Sequence, residues 1–337
     1  MIYADQRWIG NHGIGCFARH VLAGLEYRPI PLAANPASPL DPWRLTRALG
    51  KLIATDLFLS PGYNSPLFCG SPFIFTLHDL NHIDRPENSN VLKHVYYATV
   101  LKQACHRSAS ILTVSEFSRG RIIEWSGVPP DKVVNVSCGV DPEYHSRVAP
   151  YESPFPYLLC VSNRKQHKNE FRVIEAFSRA HIAAGTRLVF TGNPTAELAE
   201  YIERKHLTSR VQFVGIVPDL QMPSLYRSAE MLVFPSLYEG FGLPVLEAIA
   251  CGTPVVTANT SALPEVAGEA ALLVDPTSVE QIAHAIGRIA GDSILRQQLR
   301  EKGLARAAQF SWASTVAKVQ GLLTRIATRT DGKGDLP

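Results

Sequence analysis

Short, continuously apolar runs recur along the chain, with helix-length stretches between them. They read "DLFLS", "FIFTLHD", "SILTVS" and "KVVNVSCG", then "PYLLCVS", "RLVFTG", "VQFVGIV", "EMLVFPS" and "TPVVTAN". A strand with one wet face alternates apolar and polar residues, whereas a strand that is apolar throughout is covered on both faces. Such runs separated by helices predict an α/β chain of parallel sheets with helices packed on each side. At 337 residues the chain is too long for one ordinary core and suits two domains. The alternation breaks once, at "DPEYHSRVAPYESPFPY" (141–157), where four prolines and polar residues intervene. Each side holds enough strands for its own doubly wound sheet. Two such domains facing each other place ligands in the cleft, at the carboxyl ends of the strands.

Composition narrows the function. A net charge of +3 favours anionic partners but is too weak to argue for nucleic acid. The cysteines (Cys16, Cys69, Cys105, Cys138, Cys160, Cys251) are scattered, without a Cys-x-x-Cys pair or a histidine at ligand spacing. That excludes zinc and redox motifs and leaves buried, reduced thiols of a cytosolic protein as the expectation. The opening "MIYADQRWIGNHGIG" lacks the apolar core of a signal peptide, and no segment is long enough to span a bilayer. In the tail, Val316, Val319, Leu322, Leu323 and Ile326 fall at helical spacing, and the closing "DGKGDLP" is expected to fray.

The densest chemistry lies in "FPSLYEGFGLPVLEAIACGTPVV", 234–256, where a strand end runs into a glycine-rich turn and then a helix. Glycines at a helix start let backbone N–H groups approach an anion, and the helix dipole favours negative charge there. Gly240 and Gly242 fit that role, and Pro244 fits the first helical turn. A phosphate would repel Glu239, which is better suited to accept hydrogen bonds from sugar hydroxyls. Glu247, set among Leu246, Ala248, Ile249 and Ala250, is placed to reach a ribose diol. Its other reading is an ordinary surface glutamate, which the apolar neighbours disfavour. A second element, "CVSNRKQHKNEFRVIEAF" (160–177), sets Arg164, Lys165 and Lys168 between a strand end and an amphipathic helix, a position suited to a diphosphate.

The spacing from Glu239 to Glu247 resembles the Glu-x7-Glu signature of the retaining glycosyltransferases of family 4, which have the GT-B fold. "FPSLYEGFGLPVLEAIACGTPVVTANTSALPEVAGEAALLVDP" is similar to that family almost residue by residue. "NHGIGCFARHV", "TLHDL", "VSEFSR", "CGVDPEY" and "HKNEFRVIEAF" match further family segments in order, so the resemblance covers most of the chain. It implies two Rossmann-like domains: an acceptor-side domain over 1–152 with a C-terminal helix over 312–330, and a donor-binding domain over 153–311. It also implies the site. Glu239, with the backbone of Gly240, Phe241, Gly242 and Leu243, would hold the donor hexose and diphosphate. Glu247 would hold the ribose and Lys168 the diphosphate. Gly13 and Gly15 would open the amino-domain helix whose start faces the phosphates and acceptor. His78 would sit near the reacting carbon. The family's Gly-Arg pair is replaced by Val161 and Ser162, which leaves Arg164 or Lys165 to supply the missing charge.

No Asp-x-Asp motif is present to hold a metal–diphosphate, so metal-independent transfer without a cofactor is expected. "NRKQHKN" and "TLHDL" resemble mannosyltransferases of bacterial surface-polysaccharide assembly. GDP-mannose is therefore the first donor, with GDP-rhamnose or a UDP-hexose open. The acceptor implied is a glycan or polyprenyl-linked oligosaccharide, which places the protein in the cytoplasm or peripherally on the inner face of the membrane. Rival classes are a GT-B sugar-nucleotide epimerase, a dehydrogenase and a silent sugar-nucleotide-binding subunit. "GIG" at 13–15 lacks the third glycine of a dinucleotide fingerprint, and His78 and Asp79, adjacent on an extended chain, point apart rather than pairing as a dyad. In "DPWRLTRALGKLIA" (41–54), Leu45, Leu49, Leu52 and Ile53 share a face beside Trp43, with Arg44, Arg47 and Lys51 on another. It reads either as an interfacial helix on an anionic membrane surface or as a helix packed on the first sheet.

Overall fold

The computed structural model describes residues 1–331, so the closing residues expected to fray lie outside it apart from Asp331. The chain divides into two compact units, Met1–Gly139 joined by the segment from Ser311, and Val140–Phe310. Each unit is built on a six-stranded, wholly parallel sheet.

The first sheet comprises β1 (Ile2–Ala4), β2 (Arg28–Pro29), β3 (Leu57–Ser60), β4 (Phe73–Thr76), β5 (Ser110–Thr113) and β6 (Val133–Asn135). Its order is β2-β1-β3-β4-β5-β6, with Phe58 opposite Phe73 and Phe75 opposite Ile111. The central strands β3, β4 and β5 are buried at every position, as the continuous apolar runs require. The helix Trp312–Asp331 returns to this unit. There Trp312 stacks on His20 with ring centroids 4.4 Å apart, and Val319, Leu322, Leu323 and Ile326 are buried.

The second sheet comprises β7 (Tyr157–Cys160), β8 (Arg187–Phe190), β9 (Val211–Phe213), β10 (Met231–Phe234), β11 (Val255–Ala258) and β12 (Ala271–Val274), in the order β12-β11-β10-β7-β8-β9. Its core packs helices Glu170–Arg179 and Val279–Gly291 through Val173, Phe177, Ile282 and Ile286. The strand order runs outward from β7 to β9 and then returns to β10, so β7 and β10 flank the point where connections leave in opposite directions. In open parallel sheets ligands bind at this point, outside the carboxyl ends of the strands.

The division falls at Gly139/Val140, not at 152/153 as the proline-rich segment led us to expect. The reason is that this segment packs on the second unit. The Tyr144 ring meets Tyr226 edge-on at 5.9 Å, Arg227 Nε donates to the Ser146 carbonyl (3.0 Å), and the Tyr151 N–H donates to the Ser224 carbonyl (3.3 Å).

The 41–54 segment also departs from its expected length. Its helix runs only over Asp41–Leu49, and Leu45 and Leu49 are 0% and 2% exposed inside the first core. Leu45 and Leu49 are thus spent on the fold, whereas Trp43 (57%) and Ile53 (64%) stay exposed. A buried ion network pins the helix start. The Arg7 guanidinium donates to Asp5 (2.8 and 2.7 Å) and to Asp41 (2.7 and 3.0 Å), and Asn64 Nδ2 donates to both carboxylates. Of the cysteines, Cys105, Cys138, Cys160 and Cys251 are buried, while Cys16 and Cys69 are half-buried. Among the described residues no helix is long and apolar enough to cross a membrane.

Candidate functional site

In the second unit, the loops leaving β7 and β10 at the reversal point carry the residues singled out from the sequence. Lys168 ends a short turn (Gln166–Lys168) after β7, and its ammonium donates to Glu239 Oε1 in the loop after β10 at 2.5 Å. The two residues, 71 positions apart, form an ion pair whose side chains are only 12% and 14% exposed. The ammonium also lies 4.9 Å from the centre of the Phe234 ring. A cation and an anion brought together at a strand-end crevice offer two kinds of contact side by side. The ammonium suits a phosphate, and the carboxylate suits hydroxyls.

Asn169, which the sequence reading passed over, ties these loops together. Its backbone is left-handed (φ 63°), a conformation asparagine tolerates better than most residues. Its buried amide donates to the Pro235 carbonyl (2.9 Å) and the Pro276 carbonyl (2.6 Å), and Oδ1 accepts from Arg172 (2.8 Å). The Leu237 N–H adds a bond to the His167 carbonyl (2.8 Å). The signal in the sequence was an Asn directly before an amphipathic helix, a residue type that favours helix starts.

The helix Leu243–Ala250 begins at Gly242, whose φ of 113° excludes ordinary side chains. A Cβ there would also lie 2.7 Å from Leu263 Cδ2, so backbone shape and packing both demand glycine. The Glu239 N–H is held by Ser261 Oγ (3.1 Å) and its carbonyl by the Ala262 N–H (3.3 Å), which fixes the turn. Phe241 turns its side chain inward, buried and edge-on to Phe310, so only its backbone is offered to a ligand. Gly240 and Leu243 complete this turn.

Glu247 lies half-buried on the same helix, and its Oε2 accepts from the buried Tyr226 hydroxyl at 2.7 Å. Burial pushes its carboxyl up to about 7. The Tyr226 hydroxyl pulls it down, and Asp141 and Asp219 push it up. It is not the freely solvated glutamate of the alternative reading.

Arg164 is engaged within its own unit. Its guanidinium donates to Glu170, to the Thr191 carbonyl and to the Asn193 carbonyl (2.8 Å), and it lies 5.4 and 5.1 Å from the centres of the stacked Phe190 and Phe213 rings. Those contacts use its donors inside the unit, so it ties its loop to Glu170 and to the segment after β8. Lys165 is exposed and forms no ion pair among the described residues. Of the two candidates it alone has its charge available.

The first unit has its own reversal point between β1 and β3. The helix Gly13–Ala23 starts just beyond β1, capped by His12, whose Nδ1 accepts from the Gly15 N–H (3.0 Å). A Cβ on Gly15 would lie 2.3 Å from the Gly10 carbonyl oxygen, so this glycine lets the loop fold back on the helix. His78, beyond β4, is buried, with its Nε2 3.0 Å from the Pro61 carbonyl oxygen and its ring edge-on to Phe17. A carbonyl cannot donate, so Nε2 carries the proton and Nδ1 is the acceptor nitrogen. Burial pushes the imidazole down to about 4, which keeps it neutral at neutral pH.

Residues 10–144 match the Glycosyltransferase Family 4 domain, and residues 144–306 match the Glycosyl transferases group 1 domain. The chain belongs to the family 4 glycosyltransferases. This glycosyltransferase is 33% identical over 253 residues to O-antigen chain mannosyltransferase B of Escherichia coli, covering 71% of its own length and 66% of that protein. It is 30% identical to the serotype-specific mannosyltransferase WbdA of Escherichia coli, over 62% of its own length and 28% of that protein. It therefore spans about two thirds of one curated relative and under a third of the other. Anabaena HepE, solved in complex with UDP and glucose, superposes with a TM-score of 0.75 at 19% identity, over 96% of this glycosyltransferase and 98% of HepE. That likeness establishes a shared α/β fold of the GT-B class, with two Rossmann-like units.

Proposed function

We propose that the protein is a retaining hexosyltransferase that moves mannose from GDP-mannose onto a glycan or polyprenyl-linked oligosaccharide during surface-polysaccharide assembly. The observation that carries this reading is the Lys168–Glu239 pair at the reversal point of the second sheet, beside a helix that opens on Gly242. The mannose assignment draws on the mannosyltransferase relatives and on the loop sequences.

In this reading the diphosphate takes Lys168, Lys165 and the amides at the Gly242 turn. Glu239 accepts from hexose hydroxyls and Glu247 from the ribose diol. The bond from sugar C1 to the β-phosphate oxygen breaks, and its electron pair leaves with the diphosphate. The acceptor oxygen bonds to C1 on the same face, and its proton passes to the departing phosphate. Lys168 contributes most in the transition state, because charge accumulates on the leaving oxygen. In the first unit the neutral His78 keeps Nδ1 as an acceptor nitrogen for a sugar hydroxyl. No metal takes part, and the protein works in the cytoplasm, at the inner leaflet when the acceptor is lipid-linked.

The test is to incubate purified protein with GDP-mannose, GDP-rhamnose and UDP-hexoses, alone and with glycan acceptors, and to follow nucleotide release. Release of GDP from GDP-mannose ahead of the others supports the assignment. Release of UDP alone overturns the donor, and no release from any donor overturns the reading.

A further inference from the structure

Glu247 is the residue to which the proposed function gives the ribose, and its surroundings work against that task. It sits on the mostly apolar helix Leu243–Ala250, half-buried, with Asp141 and Asp219 raising the energy of its charge. A neutral carboxyl is a weaker acceptor than a carboxylate, and its proton occupies one oxygen. Something must keep the charge and the orientation. Only one hydrogen bond reaches this carboxyl among the described residues, and it comes from Tyr226 (2.7 Å, to Oε2).

Tyr226 is itself held fast. It lies on the helix Met222–Ser228 at 0% exposure, its carbonyl accepts from Thr253 Oγ1 (2.7 Å), and the half-buried Tyr144 packs against its ring edge-on. A buried tyrosine hydroxyl needs a partner, and a backbone carbonyl or threonine would serve a purely structural tyrosine as well. Here the partner is the carboxylate to which the proposed function gives the ribose.

Building on the proposed role of Glu247, we infer that Tyr226 is a positioning residue for donor recognition. Its hydroxyl holds Oε2, favours the ionised carboxylate and leaves Oε1 to accept from the ribose diol. The carboxyl also faces Tyr144, Asp141, Asp219 and the thiol of Cys251, with Arg227 beyond it. The Asp charges oppose ionisation and the thiol is neutral, which leaves Tyr226 as the neighbour that favours the charge. Without the hydroxyl the carboxyl holds its proton to a higher pH, and ribose binding fails sooner on acidification.

The test uses calorimetry on the full-length protein with GDP, UDP and 2′-deoxy-GDP between pH 6 and 9. The nucleotide's own phosphate titration is common to all the proteins compared. Loss of one hydrogen bond to the charged form moves the midpoint up by about one pH unit. Tyr226→Phe should then bind GDP about fivefold more weakly than wild type at pH 7 and about tenfold more weakly at pH 6. The two should converge at pH 9. For 2′-deoxy-GDP the gap should shrink at every pH, and in a Glu247→Gln background Tyr226→Phe should add no further loss. A loss of equal size at every pH, or one undiminished for 2′-deoxy-GDP, means a packing defect and overturns the inference. No loss at all overturns it too. If the wild type binds neither GDP nor UDP, the proposed function falls and takes this inference with it, whereas nucleotide binding with a wild-type pH profile in Tyr226→Phe removes the inference alone.

Discussion

Acidification should destabilise the amino-terminal unit through His78. The ring is buried against Phe17 and donates to the Pro61 carbonyl, and burial pushes its pKa from 6.5 down to about 4. A histidine with a depressed pKa binds its proton less tightly in the folded state, so the unfolded chain takes up more protons between those values. Stability is therefore whole above pH 6.5 and falls as the pH drops toward 4. The full gap corresponds to about 3 kcal/mol, of which about 2 kcal/mol is gone by pH 5. All four tryptophans, Trp8, Trp43, Trp125 and Trp312, lie in this unit, so their fluorescence reports its unfolding. Urea titrations of wild type and His78→Asn at pH 8, 6.5 and 5 isolate the effect, because carboxylates and the other histidines contribute alike to both. At pH 8 the variant should be less stable by about 1 kcal/mol, the net worth of a hydrogen bond. By pH 5 the order should reverse. Parallel stability curves from pH 8 to 5 would show that His78 ionises freely, and would refute the buried neutral ring.

Other perturbations separate charges that act on ligands from charges that hold the fold. Lys168→Ala should cut turnover by about a hundredfold or more, as loss of a transition-state contact does. Arg164→Ala should instead lower thermal stability, since Glu170 loses its buried partner at a cost of about 3–5 kcal/mol. Equal turnover losses with unchanged melting would mean that Arg164 also reaches the diphosphate. Arg7→Leu strands Asp5 and Asp41 together in the core, and should cost about 3–5 kcal/mol, with part regained in Arg7→Leu/Asp41→Asn. A melting temperature that does not move would show that the two aspartates protonate at no cost. Transfer should survive excess EDTA, and full loss restored by magnesium or manganese would place a metal on the diphosphate.

Sequence alone determined the class of fold, because burial on both faces writes itself as an unbroken apolar run. The central strands β3, β4, β5, β7, β8, β10 and β11 were legible for that reason. Runs covering β6 and β9 were legible as well, although these two strands are only partly buried. β1 and β2 were not, being three and two residues long, whereas β12 lies in the apolar run 270–274 although as an edge strand it keeps an exposed position. The glycine-rich turn was legible too, since Gly240, Gly242 and Pro244 mark a strand end running into a helix start, and the backbone angle of Gly242 agrees.

What the sequence left open was every question settled by a distant partner. Lys168 and Glu239 meet across 71 positions, and Asn169 joins loops that no spacing rule connects. Arg164, Lys165 and Lys168 read alike as cations in one loop. Only the tertiary structure turns Arg164 onto Glu170 and two carbonyls and leaves Lys165 in solvent. The helix at Asp41–Leu49 makes the same point with apolar residues. Its amphipathic pattern is the same whether the face meets lipid or a sheet, and the pattern cannot say which. Leu45 and Leu49 meet a core that includes Phe58, Phe73 and Phe75, and Arg7, 34 positions away, is bonded to Asp41 at the helix start. Periodicity records that a face is buried, and long-range pairing decides against what.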